Sequence, residues 1–132
     1  MKNFRKLLLA VLPLMALAIL ASCSKKDDET PAGTHKVVFK AETSTDASIS
    51  TALFTNATGD VTTNTSVNSR TFTSAELTIP SSVLVINFGA NGSGASANSS
   101  LKVQIWVDGK LVKENIGTGT VLSATTSYTF GK

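Results

Sequence analysis

Few side chains in this sequence could carry out covalent or acid–base chemistry, and the spacing of most of them argues against it. There is one cysteine, Cys23, and one histidine, His35. A single histidine without further cysteines or clustered carboxylates cannot complete a zinc site, so His35 is expected to be a solvated residue at the start of the first strand. Serines abound, but none stands in a strained Gly-x-Ser-x-Gly elbow. Ser93, within Asn91-Gly92-Ser93-Gly94, belongs to a stretch that reads as a loop. Glycoside hydrolysis takes two carboxylates about 5–9 Å apart, and Glu42, Glu76 and Glu114 are scattered along the chain. Asp46 and Asp60 fall in expected turns without the ligand spacing of a calcium loop. The expectation is a chain with no catalytic residues, no metal and no cofactor.

Cys23 is the exception, because its surroundings are arranged for one reaction. Lys2, Arg5 and Lys6 make a basic start, Leu7 to Leu20 is apolar apart from the interruption at Pro13, and small Ala21 and Ser22 precede the thiol. That is the three-part layout of an export signal. The fourteen residues from Leu7 to Leu20 fall short of the about 20 that span a bilayer. Leu20-Ala21-Ser22-Cys23 resembles the lipobox of bacterial lipoproteins at each position. The resemblance implies cleavage before Cys23 and lipid attachment to its sulfur. Each buried methylene contributes about 0.8 kcal/mol, so one acyl chain binds reversibly and two or three hold firmly. With no second cysteine, the mature fold must be stable without disulfides. The run Lys26, Asp27, Asp28 and Glu29 resembles the surface-export signal of Bacteroidota lipoproteins, a lysine followed by acidic residues near the acylated cysteine. It implies an outer-membrane protein facing the cell exterior, with a periplasm-facing anchored form as the alternative.

The elements that follow must then be a display domain. The formal charge of +3 misleads, since Lys2, Arg5 and Lys6 leave with the signal. What remains is nine basic against nine acidic side chains. No concentrated basic face stands out, and nucleic acid is not an expected partner. The organisation is a cleaved signal over 1–22, a lipidated cysteine and charged tether over 23–34, and one domain over 35–132. That domain is rich in Thr, Ser, Val, Asn and Gly, which suit pleated strands and turns. No helical period follows the signal.

Strands are expected over 36–42, 48–55, 70–76, 83–88, 101–107, 110–116 and 121–130. Residues 61–69 fit an edge strand or a long loop equally. Val83 to Phe88 is apolar at both alternating positions and reads as a central strand covered on both faces. Gly89 to Ser99 reads as a mobile loop by composition. Leu101, Val103, Ile105 and Val107 alternate with Lys102, Gln104, Trp106 and Asp108, and Asp108-Gly109 reads as a two-residue hairpin turn. That turn pairs Trp106 with Leu111 and Ile105 with Val112. It also puts Glu114 beside Val103 on the core side, a conflict that a bulge or a rim position resolves. About seven short strands with regular turns indicate an all-β fold, an antiparallel immunoglobulin-like β-sandwich.

The stretch from Leu101 to Ile116, with Val107-Asp108-Gly109 between an alternating strand and a return strand ending in Asn115 before a glycine turn, resembles the small domain of mycobacterial MmpS-type proteins. It is also similar to small Bacteroidota lipoproteins with that β-sandwich. The resemblance implies the fold. It does not carry the transport role, because that family has a membrane helix where this chain has Cys23, and often a cysteine pair absent here. The sharpest binding candidate is Trp106. With Leu111 it offers a flat apolar platform, and Lys102, Gln104, Lys113 and Asn115 are expected on the same face. Such a surface suits an envelope protein partner or an extracellular glycan, and tryptophan is enriched at binding hot spots. The competing and weightier reading packs Trp106 under a neighbouring strand or loop, since tryptophans are mostly buried.

Overall fold

The structure is a computed structural model that describes residues 33–131. The signal, Cys23 and the run Lys26–Glu29 lie outside the described residues. Nine strands follow one another: β1 (Thr34–Thr43), β2 (Ala47–Thr55), β3 (Val61–Asn64), β4 (Thr71–Thr73), β5 (Leu77–Pro80), β6 (Val85–Gly94), β7 (Ser100–Val107), β8 (Lys110–Thr118) and β9 (Val121–Thr129). The first sheet has the order β4-β1-β7-β8, with β5 pairing β1 on the same side as β4. The second has the order β3-β2-β6-β9. Every strand pair is antiparallel. The expected all-β sandwich is the observed architecture, with nine strands where about seven were anticipated. Among the described residues there is no helix.

Period-two patterning builds the core. Val37, Phe39 and Ala41 of β1 and Leu101, Val103, Ile105 and Val107 of β7 are buried from the first sheet. They meet Ile49 and Ala52 of β2, Ile86, Phe88 and Ala90 of β6, and Leu122 and Ala124 of β9. Phe39 lies 5.2 Å from Phe88 and 5.4 Å from Phe54, and Phe72 of β4 lies 6.0 Å from Phe54. Offset aromatic pairs at such distances contribute roughly 0.5–1.5 kcal/mol each beyond their buried area. Phe72 anchors its strand to this cluster, although that strand is only three residues long. Residues 61–69 divide. Val61–Asn64 is the edge strand β3, and the rest is loop that touches β2 through a bridge between Ser69 and Ile49.

Two expectations fail. Gly89 to Ser99 is not a mobile loop: β6 runs through Gly94, and only the remainder forms the turn into β7. Its glycines are required by close approach. A Cβ on Gly92 would collide with the Ser48 carbonyl oxygen of the neighbouring strand, and one on Gly94 would meet Ser99 and the Gly119 carbonyl. Nor is the apolar run Val83–Phe88 covered on both faces. Ile86 and Phe88 are buried, but Leu84 is 67% and Val85 43% exposed. The strand is central, yet the outer face of its sheet is open.

The hairpin turn is as expected: Asp108 and Gly109 both have positive φ, 50° and 79°. Trp106 pairs with Leu111 as anticipated. The next pair is Ile105 with Lys113, not Val112, because β8 carries a bulge at Val112. One extra residue returns every later side chain to the opposite face. Val112 packs against the core, and Glu114 pairs with Gln104 instead of facing Val103. The conflict over Glu114 is removed by the bulge.

Candidate functional site

Register decides which residues can act together on the Trp106 face. Along β7 the odd positions are buried, so Lys102, Gln104 and Trp106 point outward with Val38, Lys40 and Glu42, their neighbours on β1. From β8 the same face receives Leu111, Glu114 and Ile116, which pair with Trp106, Gln104 and Lys102. Lys113 and Asn115 do not belong to it. They pair with Ile105 and Val103 and so lie on the side facing the second sheet. There the Asn115 amide donates to the Thr125 carbonyl at 2.7 Å, tying edge strand β8 to β9. The expected face is corrected to Trp106, Leu111, Lys102 and Gln104, with Glu114 and Ile116 in place of Lys113 and Asn115.

Trp106 matches neither alternative fully. It is half-buried on the outer face, with no strand above it. Its indole N–H donates to Gln104 Oε1 at 3.2 Å, and Gln104 Nε2 donates to Glu114 Oε2 at 2.6 Å. Lys40 Nζ sits 4.7 Å from the centre of the Trp106 ring. A cation over an exposed ring is worth about 0.5–1 kcal/mol, so the lysine is displaceable, yet in this structure it takes a place that a stacking ligand would need. Beside it, Lys40, Glu42, Lys102 and Thr71 border a depression of about 110 Å³. That is smaller than the roughly 300–1,000 Å³ of ordinary ligand pockets.

His35 is not merely solvated. Its Nδ1 lies 2.8 Å from Asp108 Oδ2, and because a carboxylate only accepts, Nδ1 carries the proton. The ring stacks on Phe130 at 4.6 Å and 7°. Asp108 Oδ1 also accepts from the Lys36 backbone N–H at 2.9 Å. The pair bolts the start of β1 to the β7–β8 hairpin. The hydrogen bond from His35 first, then that from Lys36, holds the Asp108 carboxyl below its ordinary value. Positions 73 residues apart gave no sequence signal of this contact.

Asp46 is likewise engaged within the fold. Its carboxylate accepts from Ser44 Oγ and Ser99 Oγ, each at 2.6 Å, and from Ser96 Oγ at 3.4 Å. The bond from Ser44 is the largest cause of its lowered pKa, followed by that from Ser99. The carboxylate clasps the β1–β2 turn to the β6–β7 turn, and fully buried Ser99 is the inner half of that clasp. Asp60 accepts from Thr58 Oγ1 at 2.9 Å. Among the described residues no three His, Cys, Asp or Glu side chains gather as metal ligands. No helix among them is long and apolar enough to cross a membrane.

The fold and its faces define an antiparallel β-sandwich whose first sheet has a charged outer face and whose second has no charged residue in its strands. No protein-family model matches the chain, and no curated protein matches it.

Proposed function

We propose that this chain is a lipid-anchored binding or structural module of the bacterial cell envelope, held through acylated Cys23 and displayed on the outer surface by the run Lys26–Glu29. The observation that carries the address is the order of basic start, short apolar run, Leu20-Ala21-Ser22-Cys23 and charged tether. The role is non-catalytic, a docking or accessory contact with another envelope protein. The Trp106 face supports it: an aromatic and two aliphatic side chains, Leu111 and Ile116, are ringed by Lys40, Lys102, Glu42 and Glu114, a hot-spot centre with a charged rim. The test is a photo-crosslinking residue at Lys102 on intact cells. A discrete adduct that disappears with Trp106→Ala supports the reading, and no adduct, or one indifferent to Trp106, opposes it.

A second reading makes the same face a glycan platform, favoured by the outward position of Trp106 next to Leu111. It requires Lys40 to leave the ring. A Trp106→Ala variant that binds every tested glycan as well as the parent removes it.

A further inference from the structure

We propose that the second sheet carries a separate binding site for neutral saccharide, a groove across its outer face centred on Gly89. The groove encloses about 500 Å³, within the usual range for small-ligand sites. Its origin is local. Gly89 lies on the central strand β6, with Leu53 of β2 and Thr125 of β9 as its cross-strand partners. Both partners have outward side chains and Gly89 has none, so the sheet surface drops between them. Thr125 leans over the gap so closely that a Cβ on Gly89 would stand 2.9 Å from its methyl group. Val61 of edge strand β3, 64% exposed, forms one wall, and Asn87 and Ser127 continue the lining one row along.

Charge selects the ligand class. No residue of β2, β3, β6 or β9 is charged, whereas β1, β7 and β8 of the first sheet bear Lys36, Lys40, Glu42, Lys102, Lys110, Lys113 and Glu114. An anionic ligand seated at Gly89 would lose water and find no cation on these strands. Hydrogen bonding points the same way. On the first sheet Trp106, Gln104 and Glu114 are joined in one hydrogen-bonded chain. The Asn87 amide and the Thr125 and Ser127 hydroxyls make no hydrogen bond to any described residue. Donors and acceptors beside the aliphatic surface of Leu53 and Val61 match a pyranose ring, which offers hydroxyls at its rim and C–H groups on its faces. The site lies on the opposite side of the sandwich from Trp106 and does not rest on the proposed protein contact.

The test uses the full chain in detergent, with laminarin, xylan, mannan and dextran as neutral probes and polygalacturonate and dextran sulfate as charged ones. Retardation in affinity gels and amide-shift mapping are the readouts. At least one neutral polymer is expected to bind and neither charged polymer is. The shifts should centre on Leu53, Gly89 and Thr125 and leave the Trp106 indole unmoved. Asn87→Ala and Thr125→Val should each weaken binding by roughly three- to tenfold, the loss of one hydrogen bond. Four outcomes overturn the proposal: no neutral polymer binds, a charged polymer binds instead, the shifts gather at Trp106, or the Gly89 region shifts with protein concentration alone, which would make the face a contact between copies.

Discussion

Replacing Asp108 by Asn isolates what the His35–Asp108 bolt contributes. Asparagine tolerates the positive φ of 50° and keeps an acceptor for the Lys36 N–H, so the turn survives and only the charge is removed. A hydrogen bond to a charged group is worth about 1.5–3 kcal/mol when sheltered. Here the side chains are 39% and 45% exposed, and solvent screening brings such a pair toward the surface value of under about 1 kcal/mol. The expected cost at pH 7 is about 0.5–1 kcal/mol, a fall in Tm of roughly 2–8 °C for a domain of this size. The pH dependence has a definite sign. Because the folded pKa of Asp108 is lowered, its contribution is complete above the unfolded carboxylate value near 3.9 and fades as pH falls through the folded value. Urea unfolding of parent and variant at pH 7 and at successively lower pH is the assay. Curves that differ at pH 7 and converge under acid support the reasoning. A gap that persists at the lowest pH, or none at pH 7, refutes it.

Other consequences are as specific. Asp46→Asn should lower Tm at neutral pH, and the difference should vanish under acid, because the serine bonds that lower the pKa of Asp46 favour its charged form; thermal melts across pH check this. Gly92→Ala should destabilise by about 1–3 kcal/mol, since the new methyl meets the Ser48 carbonyl; chemical denaturation reads it. Phe88→Ala removes a fully buried ring that touches Phe39 and Phe72 and should cost about 3–5 kcal/mol, a large share of the about 5–15 kcal/mol that holds a domain folded; chemical denaturation reads it.

The parts of the fold legible in the sequence were those with a local cause. Leu101, Val103, Ile105 and Val107 specify a strand with one buried face by themselves, and Asp108-Gly109 specifies its turn. What stayed hidden depends on partners distant in the chain. Glycine demanded by a neighbouring backbone, as at Gly92, has the same composition as glycine that confers flexibility, so a strand read as a loop. The bulge at Val112 left a trace, the misplaced Glu114, but its position follows from packing, and that one residue moved Lys113 and Asn115 off the Trp106 face. The bolt from His35 to Asp108 and the groove at Gly89 arise from registers between strands far apart, which no local pattern encodes.

The proposed function depends first on lipid attached to Cys23, which would hold the domain at a membrane. Mass spectrometry of the N-terminal peptide of protein purified from its native membrane tests it most directly. The expected result is a mature chain that begins at Cys23 and carries acyl chains on that residue. A chain that begins elsewhere, or a Cys23 with a free thiol, would contradict it.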